Sequence, residues 1–356
     1  MMAMHASSLL VPSVKELTKE GMIEVPERYI RLDQDPPILS NTISLPQVPL
    51  IDFHKLLSQD STEIHNLHHA CKQWGFFQLI NHGVNPSLVE NMKMGVQQFF
   101  NLPMEEKKKK LWQTAEDVQG FGQLFVKSEE QKLEWADMFY VNTFPLYLRN
   151  ARLFPSIPQP FRENLEAYCL EVKNLCVTII GLMEKALKIE HNEFMELFED
   201  PSQGMRMNYY PPCPQPERVM GINPHSDSGA LTILLQVNET EGLQIRKDGM
   251  WIPVKPLPNA FVINVGDMLE ILTNGIYRSI EHRGIVNSMK ERISIAGFHR
   301  PQMDKVIGPV PSLVTPERPA LFQRIGVADY LNGFLKRELQ GKSYMDVIKI
   351  QNTIGK

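Results

Sequence analysis

The sequence predicts an α+β fold in which a mostly helical N-terminal half supports a β-rich core, and two observations carry that prediction. Residues 161–190 repeat apolar side chains at the spacing of one helix face, which is typical of a long amphipathic helix. After Gly204 the chain breaks into short runs rich in β-branched and aromatic residues, separated by turn signals such as Asn274-Gly275. Many short strands at this spacing indicate a β-sandwich or a β-barrel.

The N-terminal elements follow from local patterns. Residues 1–45 form an extension with a short helix predicted around Ser13–Lys19. Residues 46–160 form an N-terminal module. It begins with two short strands, "VPLIDF" and "FFQLINHG", and between them Ser61 and Thr62 give a capping signal for a helix.

Later in this module, residues 86–101 predict a second amphipathic helix. The charge run at 103–110 predicts a solvated helix face, and the segment 112–160 predicts loops. Residues 161–200 hold the long supporting helix, 201–302 form the β-core, and 303–356 form a C-terminal segment with a helical pattern.

The composition excludes several classes of protein. The 356 residues are 43% hydrophobic and 22% charged, which is ordinary for a globular protein, and the net charge of −4 gives no support for nucleic-acid or membrane-surface binding. Four cysteines without a C-x-x-C pair do not make a disulfide framework, and no secretory or membrane-spanning pattern is present. We expect a cytoplasmic monomer with neither nucleic acid nor membrane as partner.

Two histidines and one carboxylate form a candidate metal site. His225 and Asp227 stand two residues apart at the start of the apolar run "ALTILLQ", and alternate residues of an extended chain point to one face. His282, on a different β-rich run, supplies a third donor. Two imidazoles and one carboxylate are the ligand set of non-haem Fe(II) oxygenases, which leaves open positions on the metal. Each residue alone is more often structural than metal-binding, so the combination carries the prediction.

A second polar pair follows ten residues after His282. Arg292 and Ser294 again share one face of a predicted strand. A guanidinium binds a carboxylate through two parallel hydrogen bonds, and an arginine that points into a β-core without an anion would be costly. This pair predicts a buried site for an acid.

The two polar motifs and several longer stretches of the chain resemble those of a known family. The H-x-D motif at 225–227, the distal histidine and the R-x-S motif at 292–294 resemble those of the plant 2-oxoglutarate- and Fe(II)-dependent dioxygenases. The resemblance runs from about residue 12 to 350 and is closest to the clade of senescence-related dioxygenases and opium-poppy alkaloid O-demethylases. Its other motifs are "WGFFQLINHGV" (74–84), "VQGFGQLFVKSEEQKLEWADMFY" (118–140), "MNYYPPCPQP" (207–216) and "NGIYRSIEHR" (274–283).

The resemblance implies a fold and a set of roles. The fold is a distorted double-stranded β-helix, or jelly roll, backed by helices. His225, Asp227 and His282 bind Fe(II), while Arg292, Ser294 and Tyr210 bind the distal carboxylate of 2-oxoglutarate, with Asn208 near the keto acid or a metal ligand. The reaction uses O2, converts 2-oxoglutarate to succinate and CO2, and hydroxylates or O-demethylates a small plant metabolite. Ascorbate is the implied reductant.

Candidate substrate contacts are Phe298, Arg206, Phe121, Phe125 and Arg300. Each of them is also compatible with simple packing, and Arg300 with an exposed position. Similar enzymes that oxidise flavonoids tend to carry an acidic residue in place of Arg300, which argues against a flavonoid and for a substrate with a carboxylate or another acceptor group.

Two alternatives stay open at this stage. One is an oxidase of the same fold that uses iron and ascorbate without 2-oxoglutarate. The other is a metabolite-binding protein on this scaffold without catalysis, although a complete metal triad argues against it.

Overall fold

The computed structural model describes residues 8–38, 45–114, 117–189, 192–338, 341 and 344–351. The α-helices are α1 (Val14–Leu17), α2 (Phe53–Leu57), α3 (Ser61–His69), α4 (Pro86–Asn101), α5 (Met104–Glu106), α6 (Phe161–Ala186), α7 (Asp267–Leu272) and α8 (Val327–Leu335). The strands are β1 (Leu50–Asp52), β2 (Phe76–Ile80), β3 (Gly120–Gly122), β4 (Asp137–Phe144), β5 (Ser202–Tyr210), β6 (Ile222–His225), β7 (Leu231–Gln236), β8 (Leu243–Lys247), β9 (Met250–Pro253), β10 (Phe261–Val265), β11 (His282–Gly284), β12 (Arg292–Arg300), β13 (Val306–Ile307) and β14 (Ile325–Gly326).

Two sheets form the core. The large sheet has the order β1-β2-β10-β7-β12-β5-β4-β3, and the small sheet has the order β6-β11-β8-β9. A cavity between them is lined by side chains from strands of both sheets, including β5, β7 and β12 on one side and β6 and β11 on the other. This is the double-stranded β-helix that the resemblance implied.

Strand β12 shows how the sequence places polar groups inside. Arg292, Ser294 and Phe298 alternate along the strand and line the cavity. Ile293 and Ile295, on the opposite face, are buried in the main hydrophobic core. Because side chains alternate between the two faces of a strand, one strand contributes at once to the cavity and to the core.

Helix α6 covers the outer face of the large sheet. Its buried residues recur at helical spacing, as the sequence predicted, and pack into the core beneath β7 and β12. Helix α4 crosses α6 and covers the same face. It begins after Asn85, whose side-chain oxygen accepts hydrogen bonds from the backbone N–H groups of Ser87 and Leu88.

Two stretches differ from the prediction. The segment 112–160, predicted as loops, contains β3 and the eight-residue strand β4, which pairs with β5 along almost its whole length. Seven of those eight residues are buried, so β4 lacks the alternation of polar and apolar residues that marks a half-exposed strand. The run "AFVINVGDMLEILT", predicted as β-rich, is strand β10 followed by helix α7.

The charge run at 103–110 is also only partly solvated. Lys107 is 1% exposed. Its Nζ donates a hydrogen bond to the carbonyl of Phe100 and lies 4.8 Å from the ring centroid of Phe121. Burial lowers the Lys107 pKa to about 8.

The predicted N-terminal module shares its sheet with the predicted core. Strands β1 and β2 extend the large sheet at one edge, and β3 and β4 extend it at the other. The division into 1–45, 46–160, 161–200, 201–302 and 303–356 therefore stays a prediction about sequence segments. In the last segment, residues 339–340, 342–343 and 352–356 lie outside the described residues. Among the described helices, none has the length and apolar character needed to cross a membrane.

Candidate active site

The three predicted metal ligands converge at one end of the cavity. His225 is the last residue of β6, and its direct cross-strand partner is His282, the first residue of β11. Asp227 Oδ1 lies 3.6 Å from Nε2 of His225 and 3.7 Å from Nε2 of His282. One donor atom from each residue lies within 4.8 Å of the other two, and all three residues are buried.

The route to this geometry differs from the one that the spacing suggested. Asp227 does not share a strand with His225, because β6 ends at His225 and β7 begins at Leu231. The carboxylate reaches the histidines from the turn that joins those strands. The three residues therefore lie together, as predicted, but the reason given for it was wrong. A turn brings Asp227 to the histidines, and alternation along one strand does not.

Backbone carbonyls orient the two imidazoles. Nδ1 of His225 lies 2.7 Å from the carbonyl oxygen of Asn223, and Nδ1 of His282 lies 3.1 Å from that of Ile280. Each Nδ1–H donates to its carbonyl, which leaves Nε2 of each ring on the side of Asp227.

Two side chains that sequence reasoning missed orient the carboxylate. Thr232 Oγ1 donates to Asp227 Oδ2 over 2.6 Å, and Asn264 Nδ2 donates to the same oxygen over 2.8 Å. Oδ1 is thereby left for a metal. These two hydrogen bonds join a turn to β7 and β10, so no local sequence pattern predicts them.

The environment sets the protonation states that a metal needs. Burial, together with the nearby His225, lowers the pKa of His282 to about 4, so its imidazole is neutral at neutral pH. Burial alone would raise the pKa of Asp227. His282, His225 and the Thr232 hydroxyl outweigh that effect and hold the Asp227 pKa below its usual range.

The predicted acid site lies at the other end of the same cavity. Arg292 is the cross-strand partner of Tyr210, and Ser294 is the partner of Asn208. The guanidinium carbon of Arg292 lies 5.0 Å from the Tyr210 ring centroid, and Asn208 Nδ2 donates to Ser294 Oγ over 3.4 Å. Within the described residues, Arg292 Nε and Asn208 Oδ1 are buried without a hydrogen-bond partner. Such atoms are costly unless a ligand satisfies them.

A glycine leaves room for this arginine. A Cβ built on Gly242 would lie 2.5 Å from Cδ of Arg292, closer than two carbon atoms approach. A Cβ on Gly221 would lie 2.8 Å from the Tyr210 ring. The sequence analysis did not single out either glycine, because only the folded chain brings them against these side chains.

The residues fit both groups that the sequence implies. Two imidazole nitrogens and one carboxylate oxygen converge on one point and line the cavity, which is the donor set of non-haem Fe(II) sites. Arg292, Ser294, Tyr210 and Asn208 line the same cavity and offer donors to a carboxylate. A keto acid anchored by Arg292 would extend from there towards the metal ligands.

Comparison with known proteins agrees with this geometry. Residues 201–301 match the model of the 2OG-Fe(II) oxygenase superfamily, and residues 48–157 match that of the non-haem dioxygenase in morphine synthesis N-terminal domain. The oxoglutarate-dependent flavonoid 7-O-demethylase 1 of Ocimum basilicum is 53% identical over 97% of this chain and 92% of its own. Codeine O-demethylase of Papaver somniferum is 50% identical over 97% of both chains.

The chain belongs to the plant 2-oxoglutarate- and Fe(II)-dependent dioxygenases. A crystal structure of JOX2 in complex with 2OG, Fe and JA superimposes with a TM-score of 0.87 at 33% identity, covering 96% of this chain and 98% of that one. This dioxygenase is therefore an oxidoreductase with Fe(II) and 2-oxoglutarate as its cofactors, as the resemblance implied.

The dioxygenase cavity contains two of the five candidate substrate contacts. Phe298 and Arg206 line it, together with the apolar side chains of Phe76, Ile222, Leu234 and Leu243. The cavity therefore joins the predicted metal ligands to an apolar wall.

Phe121 and Phe125 lie elsewhere. Phe121 is fully buried against Phe99, Phe100 and Trp112 in the main core, because β3 turns its side chain away from the cavity. Phe125 packs edge-on against Phe334, with ring centroids 5.7 Å apart. Neither lines the cavity, so the structure supports packing roles for them.

Arg300 is not among the residues that line the cavity, and it is not exposed to solvent. It is 9% exposed, and its Nη2 donates to the hydroxyl of Tyr140 over 3.3 Å. Since Arg300 does not line the cavity, the argument that its charge disfavours a flavonoid loses its structural basis.

Proposed function

We propose that this dioxygenase O-demethylates a small methoxylated plant metabolite, with hydroxylation of a related C–H bond as the alternative outcome of the same site. In this proposal His225, Asp227 and His282 bind Fe(II), Arg292, Ser294 and Tyr210 bind the distal carboxylate of 2-oxoglutarate, and Asn208 lies beside the keto acid. The observation that carries the proposal is the single cavity that joins the metal ligands, the acid site and an apolar wall. The relatives named for O-demethylation of a flavonoid and of codeine support the choice of reaction.

The protein's part in the reaction is to position the cofactors and the substrate and to exclude water. When bound, Fe(II) with 2-oxoglutarate and O2 supplies oxidation of a C–H bond coupled to decarboxylation of 2-oxoglutarate to succinate and CO2. Asn223 and Ile280 hold the imidazoles, and Thr232 and Asn264 hold the carboxylate, so the ligand geometry is set before the cofactors bind. Phe76, Leu234 and Phe298 provide apolar contact around the substrate.

Oxidation of a methoxy group uses one molecule of O2 and one of 2-oxoglutarate. One atom of O2 enters succinate, and the other hydroxylates the methyl group. The resulting hemiacetal breaks into formaldehyde and the free hydroxyl compound. Formaldehyde, succinate and demethylated product are therefore expected in equal amounts.

The test is an assay of the purified chain with Fe(II), 2-oxoglutarate and a panel of methoxylated flavonoids and alkaloids. We expect formaldehyde and succinate to be released together with at least one member of the panel. Release of a hydroxylated product without formaldehyde would select hydroxylation. Turnover that does not require 2-oxoglutarate, or tight binding with no succinate, would contradict the proposal and favour the oxidase or the binding protein.

We further propose that the enzyme is a cytoplasmic monomer without a nucleic-acid partner. The near-neutral charge balance and four buried free cysteines support this assignment. Light scattering of the purified chain tests the monomeric state. Microscopy of a tagged copy tests the cytoplasmic location.

A further inference from the structure

An ion pair lies in the wall of the active-site cavity, between the acid site and Phe298. Arg206 lines the cavity, and its Nη2 lies 3.7 Å from Oε2 of Glu134. The two residues are 6% and 9% exposed. Glu134 is held in place because its Oε1 accepts a hydrogen bond from the backbone N–H of Asn223.

The guanidinium of Arg206 has an N–H group that makes no hydrogen bond within the described part of the chain. Its Nε is buried without a hydrogen-bond partner among the described residues, and 3.7 Å to Glu134 is too long for a hydrogen bond. A buried guanidinium whose N–H groups have no acceptor costs free energy that a ligand can recover.

The other two arginines of the cavity have other roles. Arg283 donates to Gln244 Oε1 and to the carbonyls of Asp35 and Pro36, away from the cavity. Arg292 belongs to the acid site, four residues along β12 from Ala296, the partner of Arg206. That is about 13 Å of strand, so Arg206 and Arg292 serve different parts of the cavity.

The charge of Glu134 decides what Arg206 can bind. With Glu134 beside it, the guanidinium already faces an anion, and a substrate carboxylate would place a second anion next to Glu134 in a buried site. An uncharged acceptor, such as a carbonyl, ether or hydroxyl oxygen, accepts a hydrogen bond from Arg206 without that repulsion. The small side chain of Ala296, directly across from Arg206, leaves space for such a group.

We propose that Arg206, neutralised by Glu134, selects uncharged oxygen-bearing substrates by donating to an acceptor oxygen, and discriminates against carboxylates. This inference deepens the proposed function and rests on its assignment of the cavity. Arg206 is then a specificity-determining residue, and Glu134 is a positioning residue that sets the charge preference.

The experiment compares two probes that differ in one group, methyl para-methoxycinnamate and para-methoxycinnamate. Binding is measured by calorimetry on the protein loaded with Mn2+ and 2-oxoglutarate, which forms the complex without turnover. We expect the wild-type protein to bind the ester at least about tenfold more tightly than the acid, since the ester avoids repulsion from Glu134 and the desolvation of a second buried anion.

Three variants separate the roles. Glu134→Gln removes the neutralising charge, and we expect the preference to shift about tenfold or more towards the acid. Arg206→Met combined with Glu134→Gln keeps the wall uncharged but removes the donors, and we expect ester binding to weaken about tenfold. Arg206→Met alone leaves Glu134 unpaired and serves as the matched comparison. The affinity for 2-oxoglutarate should stay within about twofold in all three, which shows that each variant is folded.

Several results would overturn the inference. They are equal or tighter binding of the acid by the wild-type protein, binding of neither probe, an unchanged preference in Glu134→Gln, or full ester affinity in the double variant. Formaldehyde release is scored separately with Fe(II). Ester binding without formaldehyde would contradict the proposed demethylation while leaving the role of Arg206 intact.

Discussion

At the scale of single residues, the metal site is defined by what holds the ligands as much as by the ligands. Asp227 offers one oxygen to the histidines, while Thr232 and Asn264 occupy the other. Partners that fix a ligating carboxylate typically change metal affinity 10- to 100-fold when they are removed.

The Thr232 hydroxyl gives the first prediction. Thr232→Val keeps the shape of the side chain but removes the donor to Asp227, so we expect Mn2+ affinity to fall by about tenfold. Titration with Mn2+ measures the change. Thr232→Ser, which keeps the hydroxyl, is the matched control and should bind Mn2+ nearly as the wild type does. Equal affinity in the valine and serine variants would show that the hydrogen bond does not orient the ligand.

Arg292 gives the second prediction. Arg292→Leu removes the charged donor while keeping an apolar side chain, so we expect 2-oxoglutarate affinity to fall by about 100-fold. Arg292→Lys keeps the charge without the two-pronged geometry and should lie between the leucine variant and the wild type. Calorimetric titration with 2-oxoglutarate and Mn2+ measures both. An unaltered Kd in the leucine variant would refute the anchoring role.

Residue-scale prediction from the sequence identified the three residues that the structure brings together and the arginine that lines the same cavity, but not their hydrogen-bond partners. His225, Asp227 and His282 stood out because few other structures need that set of donors. Asn264 and Gly242 did not stand out, since an asparagine in a strand or a glycine before one has many ordinary uses, and only tertiary contact gives them their roles.

At the scale of elements, strand β12 connects the cavity to the rest of the sheet. Its penultimate residue, His299, is fully buried on the core face. Its Nε2 lies 2.9 Å from Gln203 Nε2 of β5, and its Nδ1 lies 3.3 Å from the carbonyl of Leu231 in β7. The neutral ring thus donates to β7 and accepts from β5, and it joins three strands.

This histidine gives a pH prediction. Burial lowers the His299 pKa to about 3, whereas an unfolded histidine has a pKa of about 6.5. Between these values the unfolded chain binds a proton that the folded chain does not, so stability is lost as pH falls through that window. Urea unfolding at a series of pH values should show a smaller loss in His299→Gln than in the wild type. If the free energy of unfolding depended on pH equally in the wild type and in His299→Gln, His299 would have the same pKa in the folded and the unfolded chain.

Element prediction succeeded where a pattern was local. Helix α4 was predicted at residues 86–101 and is found there, because an asparagine cap, a proline in the first turn and an amphipathic stripe all agree. Strand β4 was missed because a strand covered on both faces loses the period of two. The turn after β6 was missed because its backbone is set by the strands on either side.

At the scale of the whole molecule, the N-terminal extension is tied to the site. The carbonyls of Asp35 and Pro36 accept from Arg283, the residue that follows the proposed metal ligand His282. Near its start, Ser13 Oγ and the N–H groups of Val14 and Lys15 donate to the buried carboxylate of Asp137 in β4. The extension therefore satisfies buried charges in both sheets.

A truncation tests that dependence. A chain lacking residues 1–36 would leave the buried Arg283 and Asp137 without these partners, and removal of one partner of a buried charge costs about 3–5 kcal/mol. We expect a clear drop in the urea midpoint and weaker Mn2+ binding. The control is a chain lacking residues 1–7, which keeps these contacts. An intact midpoint in the longer truncation would show that the extension only covers the surface.

The pairing of His225 with His282 has a consequence for folding. These residues are direct neighbours across β6 and β11, yet 57 positions separate them in the chain. An ion bound by both would be a cross-link that closes a long loop, and such a closure removes conformational entropy from the unfolded chain. All four cysteines are free and buried. A metal held by these two histidines would therefore constrain the chain in the way that a disulfide does in other proteins, and its removal would reverse the constraint.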